Sequence, residues 1–201
     1  MVMATDIVLA SGSAIRAQLL QQSRVPFRVV SARIDEETIT ESLIGEGAKP
    51  RDIADALAEM KAIRGAARAP GALVIGCDQV LDLGGSLLSK PMSPEEALSQ
   101  LQSMRGKVHK LLSAAVIYHD NAPQWRHVGE VRLAMRDVSD AYLQDYVARN
   151  WPAIGDCVGA YQLEGEGVRL FTRIDGDYFN VLGMPLLEIL SYLALRGIIA
   201  S

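Results

Sequence analysis

Ala72-Leu73-Val74-Ile75-Gly76-Cys77-Asp78-Gln79-Val80 is an apolar run that closes on a carboxylate. Its composition predicts a buried strand over residues 73–77. Asp78 then falls at the strand's C-terminal end, where open α/β sheets gather their ligand sites.

Outward from this run, strands and helices alternate. Asp6 to Ala10 reads as a short buried strand, Ser11-Gly12-Ser13 as a turn, and Ala14 to Gln22 as a helix. Val25 to Val30 predicts a second strand, and Asp35-Glu36-Glu37 an acidic loop. From Arg51 to Arg68, residues Ile53, Ala56, Leu57, Met60 and Ile63 recur at helical spacing. A turn at Gly84 to Ser86 leads to Lys90-Pro91. Ser93-Pro94-Glu95-Glu96 is a helix start, with serine as cap, proline at the first position and Glu96 closing a capping box. Strands follow at residues 112–118 and 125–135, a helix from Ser139 through Arg149, and a strand at 168–174. A turn at 175–177 and a helix from Pro185 close the chain. The pattern predicts an α/β fold with a mixed sheet.

At 201 residues the chain fits one domain, or one domain with two lobes. A net charge of −4 argues against a nucleic-acid partner, because such proteins carry a basic face. It leaves room for a small polyanion, since a few cations in one cleft suffice. Cys77 and Cys157 form no zinc spacing, and no secretory leader pattern opens the sequence. The apolar stretch from Leu186 to Ala200 is broken by Glu188 and Arg196, short of the ~20 residues that cross a bilayer. The expectation is a cytoplasmic protein without membrane contact.

Several residues can carry chemistry, each with a plainer alternative. Ser11-Gly12-Ser13-x-x-Arg16 precedes a helix, whose free N–H groups and dipole make an anion site; equally, Ser11 or Ser13 simply caps it. Glu36 in the acidic loop is a hard oxygen donor suited to Mg²⁺, or a solvated charge. Lys61 and Lys90 can reach phosphate or stay at the surface. His109 is an acid/base candidate or a structural histidine. A Walker loop, a dinucleotide fingerprint and a GxSxG elbow are all missing.

In order and spacing these fragments resemble the Maf-like nucleotide pyrophosphatase family, over nearly the whole chain. The resemblance rests on Leu9-Ala10-Ser11-Gly12-Ser13-x-x-Arg16, Ile34-Asp35-Glu36, Leu57-Ala58-x-x-Lys61-Ala62, Gly76-Cys77-Asp78 and Lys90-Pro91. It continues through Gly106-x-x-His109, Gly159-Ala160-Tyr161 and Asn180-Val181-Leu182-Gly183-Met184-Pro185. It implies one two-lobed α/β domain over residues 1–201, with an elongated mixed sheet, flanking helices and a central cleft. The implied reaction cleaves a nucleoside triphosphate between the α and β phosphates, with a divalent cation, Mg²⁺ or Mn²⁺. Asp78 would accept the proton of the attacking water, and Glu36 with Asp78 would hold the metal. Ser11, Ser13, Arg16, Lys61 and Lys90 would bind the phosphates. A homodimer also fits the family.

Three positions bear on the base. Pyrimidine-type members carry Arg, Thr and Gln where this chain has Ile15, Gln79 and Glu164. Asp-Gln and the late glutamate resemble the branch that hydrolyses 7-methyl-GTP. A glutamate only accepts hydrogen bonds, which suits the donors of a guanine edge. Ile15 departs from the tryptophan of some members of that branch, which stacks on a cationic base. Hydrolysis of dTTP or UTP, or broad specificity, is the alternative. A non-catalytic nucleotide-binding regulator is another, since members of the family have been linked to restraint of septum formation.

Overall fold

The computed structural model describes residues 5–200. Its strands are β1 (Ile7–Ala10), β2 (Arg28–Val29), β3 (Leu73–Leu83), β4 (Ser86–Leu88), β5 (Val108–His119), β6 (Ala122–Met135) and β7 (Phe171–Asp175). They form one mixed sheet in the order β2-β1-β3-β5-β6-β7, with β4 paired to β3. Helices α1 (Ala14–Gln22), α2 (Glu36–Gly45), α3 (Pro50–Arg68), α4 (Pro94–Met104), α5 (Asp140–Asn150), α6 (Tyr178–Val181) and α7 (Leu186–Leu195) complete the α/β fold. The chain divides into two compact units. The first takes residues 5–79, Ser113–Gly129 and 178–200, and the second Val80–Leu112 and Glu130–Asp177.

In the first unit, β1 runs parallel to β3, with Ile7 opposite Leu73 and Ala10 opposite Gly76. Side chains alternate across a strand, and here the alternation sorts two apolar layers. Ile7, Leu9, Ile75 and Cys77 pack with Leu19 and Leu20 of α1 and with Leu186, Ile189 and Leu193 of α7. Val8, Ala10 and Val74 face the other way, with Ala69 and Ala72. Helix α3 covers this second face. A Cβ on Gly76 would meet the Ala58 carbonyl oxygen at 2.2 Å, and one on Gly65 would meet Ala10 Cβ at 2.6 Å. The two glycines let the helix backbone approach the sheet closely.

The buried stripe of α3 is Ile53, Ala54, Leu57, Ala58, Lys61, Ala62 and Gly65. Met60 and Ile63, expected on the apolar face, are exposed. The sequence pattern followed the largest side chains, whereas close approach to the sheet selects the smallest. The strand expected over 25–30 is reduced to Arg28–Val29, because Pro26 has no N–H to give a ladder. The acidic loop expected at Asp35-Glu36-Glu37 is instead the start of α2, where Asp35 accepts hydrogen bonds from the Thr38 backbone N–H (3.1 Å) and hydroxyl (3.0 Å).

In the second unit, β3 and β4 form a hairpin through Gly84-Gly85, and β6 pairs antiparallel with β7. Ser93 caps α4 as its sequence predicts, and Ser139, read as the first residue of a helix, is the cap of α5. Glu96 does not close the capping box on Ser93; its carboxylate accepts from the Met92 N–H at 2.9 Å. Residues 166–170, partly read as strand, form a 3-10 helix, and β7 begins only at Phe171.

Candidate active site

Strand β3 does not end at Cys77 but runs on to Leu83, so Asp78 is not at its own strand's end. The neighbouring strand is the one that stops. β1 pairs with β3 only as far as Gly76 and then breaks into the Ser11 turn. Asp78 stands two residues beyond that last pair, at the carboxyl end of β1.

On the α3 side of β3 the order is Val74, Gly76, Asp78. Lys61 lies one helical turn from Leu57 on the stripe that faces this row, so its side chain is directed at Asp78. Lys61 Nζ donates to Asp78 Oδ1 at 2.5 Å and lies 2.7 Å from Glu36 Oε1. Lys61 and Asp78 are both buried, against the surface alternative for the lysine, while the Glu36 side chain is about half exposed. Burial pushes the Asp78 carboxyl above the usual carboxylate range, and the Lys61 and Arg16 charges pull it back.

The Ser11 turn brings the second set of groups. Ser13 is the N-cap residue of α1, yet its side chain makes no capping hydrogen bond. Ser11 does not cap either: its Oγ accepts from the Ser13 N–H at 3.2 Å and from Arg16 Nη1 at 3.3 Å. Arg16 ties three segments together. Its Nη1 also donates to the Cys77 carbonyl at 2.9 Å, and its Nε to the Gly183 carbonyl at 2.7 Å. Gly183 has φ +89°, a conformation that favours glycine, and a Cβ there would come to 3.0 Å from Arg16 Nη2 and press on the guanidinium. Ile15, half-buried, follows on the same first turn.

Gln79 points away from Asp78, as the next residue on a strand must. Its Nε2 donates to Ser113 Oγ (2.9 Å) and to the carbonyls of Asn180 (2.9 Å) and Val181 (3.1 Å). Ser113 Oγ in turn donates to the Asn180 carbonyl at 2.6 Å. Sequence reasoning missed Ser113, which sits unmarked in the apolar run of β5.

Lys90 and Glu164 belong to the second unit. Both are exposed, and both act electrostatically on the Cys157 thiol, whose pKa burial pushes up to about 11. His109, also there, is structural. It is buried, its Nε2 is hydrogen-bonded to the Tyr161 hydroxyl at 2.8 Å, and burial holds its pKa down at about 4.

Among the described residues, no group of three or more His, Cys, Asp or Glu side chains converges as a metal site. Glu36 and Asp78 form a pair, and both reach one cationic atom. That donor set fits Mg²⁺ or Mn²⁺, which are commonly held by one or two carboxylates plus substrate phosphate oxygens.

Residues 6–195 match the model of the Maf-like protein family. The chain belongs to that family. It is 63 % identical over 197 residues to a nucleoside triphosphate pyrophosphatase of Ruegeria pomeroyi, covering 98 % of this chain and 99 % of that protein. A Roseobacter denitrificans protein of the same name is 64 % identical over 97 % of this chain and 98 % of its own length. A 7-methyl-GTP pyrophosphatase of Brucella abortus is 44 % identical, over 95 % of this chain and 96 % of that one. No helix among the described residues of this Maf-like chain is long and apolar enough to cross a membrane.

Proposed function

We propose that this chain is a nucleoside triphosphate pyrophosphatase, a hydrolase of acid anhydrides that yields a nucleoside monophosphate and pyrophosphate. The observation that carries the reading is the buried Asp78–Lys61 pair beside Glu36. Arg16, on the first turns of α1, acts electrostatically on Asp78, and the Ser13 side chain at that helix start makes no capping hydrogen bond. The names of the full-length relatives support it.

In this reading water attacks the α phosphorus, its proton passes to the Asp78 carboxylate, and the bond to the bridging oxygen breaks to release pyrophosphate. The Lys61 charge works against the upward push of burial and so favours the ionised Asp78 that accepts that proton. Lys61, Arg16, Ser11, Ser13 and the N–H groups opening α1 bind the polyphosphate and offset charge on the leaving group. Lys90, in the second unit, is a phosphate-binding candidate by the family resemblance alone. Glu36 and Asp78 would hold the divalent cation, which would lower the pKa of water and screen phosphate charge.

The finer reading is a guanine base methylated at N7. It draws on the Asp78-Gln79 and Glu164 pattern and on the Brucella relative's name. Of the three positions that bear on the base, Gln79 has its Nε2 engaged within the protein, and Glu164 is a pure acceptor suited to the donors of a guanine edge. Incubation with 7-methyl-GTP, GTP, dTTP and UTP, with Mg²⁺ or Mn²⁺, tests both levels. Monophosphate and pyrophosphate are expected. Diphosphate and orthophosphate would place cleavage at another bond, and binding without any product would favour the regulator.

A further inference from the structure

Ser113 has no exposed surface, and it lies in a strand of alanine, valine and isoleucine where a hydroxyl is costly unless bonded. Its partners are specific. It donates to the Asn180 carbonyl and accepts from Gln79, whose amide also reaches the Val181 carbonyl. These bonds join β5 and β3 to the last residues of α6, which open the turn at residues 180–183 closed by the Gly183 N–H on the Asn180 carbonyl at 3.1 Å; its other end is held by Arg16 Nε on the Gly183 carbonyl. Asn180 is itself locked over Gly129, where a Cβ would come within 2.2 Å of Asn180 Oδ1.

The turn therefore has two anchors. Ser113 and Gln79 fix where it begins, and the Gly183 carbonyl at its end sets the angle of the Arg16 guanidinium. The same guanidinium holds Ser11 Oγ and the Cys77 carbonyl, next to Asp78. We propose that Ser113 and Gln79 are positioning residues for the polyphosphate site, acting through the 180–183 turn on Arg16. Adjacent strand residues point to opposite faces, which separates Gln79 from the Asp78–Lys61 pair. This inference rests on the proposed phosphate site.

Calorimetric binding of inorganic tripolyphosphate with Mg²⁺ tests the inference without a base and without turnover. The wild-type chain is expected to bind it. Ser113→Ala and Gln79→Met are expected to weaken binding about 5- to 10-fold each, the worth of a typical net hydrogen bond. Combined with Arg16→Ala, either substitution is expected to add less than about twofold, because its effect runs through the arginine. Wild-type affinity in both variants, or undiminished losses in the Arg16→Ala background, would each overturn the proposal. Failure of the wild-type chain to bind tripolyphosphate would instead remove the phosphate site, and with it both this inference and the proposed function.

Discussion

Lys61 Nζ lies 2.5 Å from Asp78 Oδ1, and the pair is buried on the face where α3 meets β3. Each partner makes the other tolerable. A buried carboxylate without its counterion is expensive, and removing one partner of such a pair costs ~3–5 kcal/mol. Lys61→Met is therefore expected to lower unfolding free energy by about that amount in denaturant titrations. Lys61→Met with Asp78→Asn recovers most of the loss, because the uncompensated charge is gone. Equal destabilisation in the single and double variants would show that the two residues do not compensate each other.

Asp78→Asn alone keeps the shape and leaves Lys61 paired with Glu36. The fold is expected to survive, with an unchanged circular dichroism spectrum, while pyrophosphate release falls by ~10²–10⁴, the usual worth of a general base. Turnover near the wild-type rate would mean that Asp78 is not the proton acceptor.

Gly76 sets how close α3 can come. An added methyl would press on the Ala58 carbonyl at 2.2 Å and the Ala62 nitrogen at 2.6 Å, both of them helix backbone. Gly76→Ala must therefore move α3, and Lys61 with it. The expected cost is ~1–3 kcal/mol or more from overpacking, together with loss of turnover. A fully active, fully stable Gly76→Ala protein would show that the close packing is dispensable.

Much of this site was legible because its parts are local. Gly76 and Asp78 sit two apart and so share a strand face, while Leu57 and Lys61 sit four apart and share a helix stripe. What the sequence hid is long-range. The polar break at Cys77-Asp78-Gln79 reads as a strand end, yet β3 stays extended because it goes on to pair with β4 in the second unit. Arg16 reads as a phosphate ligand alone, but two of its acceptors are backbone carbonyls at residues 77 and 183, which carry no side-chain signal. Asp35 looked solvated because a cap and a loop acid differ only in whether an N–H waits three residues on.

His109 is expected to give the second unit a pH-dependent stability. A histidine in the unfolded chain takes up its proton near pH 6.5, whereas burial lowers the folded value to about 4. The unfolded state thus binds the extra proton between those values and the folded state does not. Stability from this residue is complete above about pH 6.5 and declines as pH falls to about 4, by up to ~3 kcal/mol. Urea midpoints at pH 7 and pH 5 should separate, and His109→Gln, which can still bond the Tyr161 hydroxyl, should narrow the gap by ~2 kcal/mol. An identical gap in the variant would assign the pH dependence to other groups.

Glu164 is where base preference can be tested apart from polyphosphate binding. Its carboxylate is exposed in the second unit and can only accept hydrogen bonds, whereas glutamine both accepts and donates. Against guanine, whose N1–H and amino groups both donate, Glu164→Gln loses a charge-assisted acceptor and the attraction for a cationic methylated ring. Hydrogen bonds to charged groups are worth ~1.5–3 kcal/mol, so preference for 7-methyl-GTP over UTP should fall about 10- to 100-fold in kcat/KM. Tripolyphosphate affinity should not move, because that probe has no base. A uniform loss across all four nucleotides would make Glu164 a structural residue, and an unchanged profile would remove it from base selection.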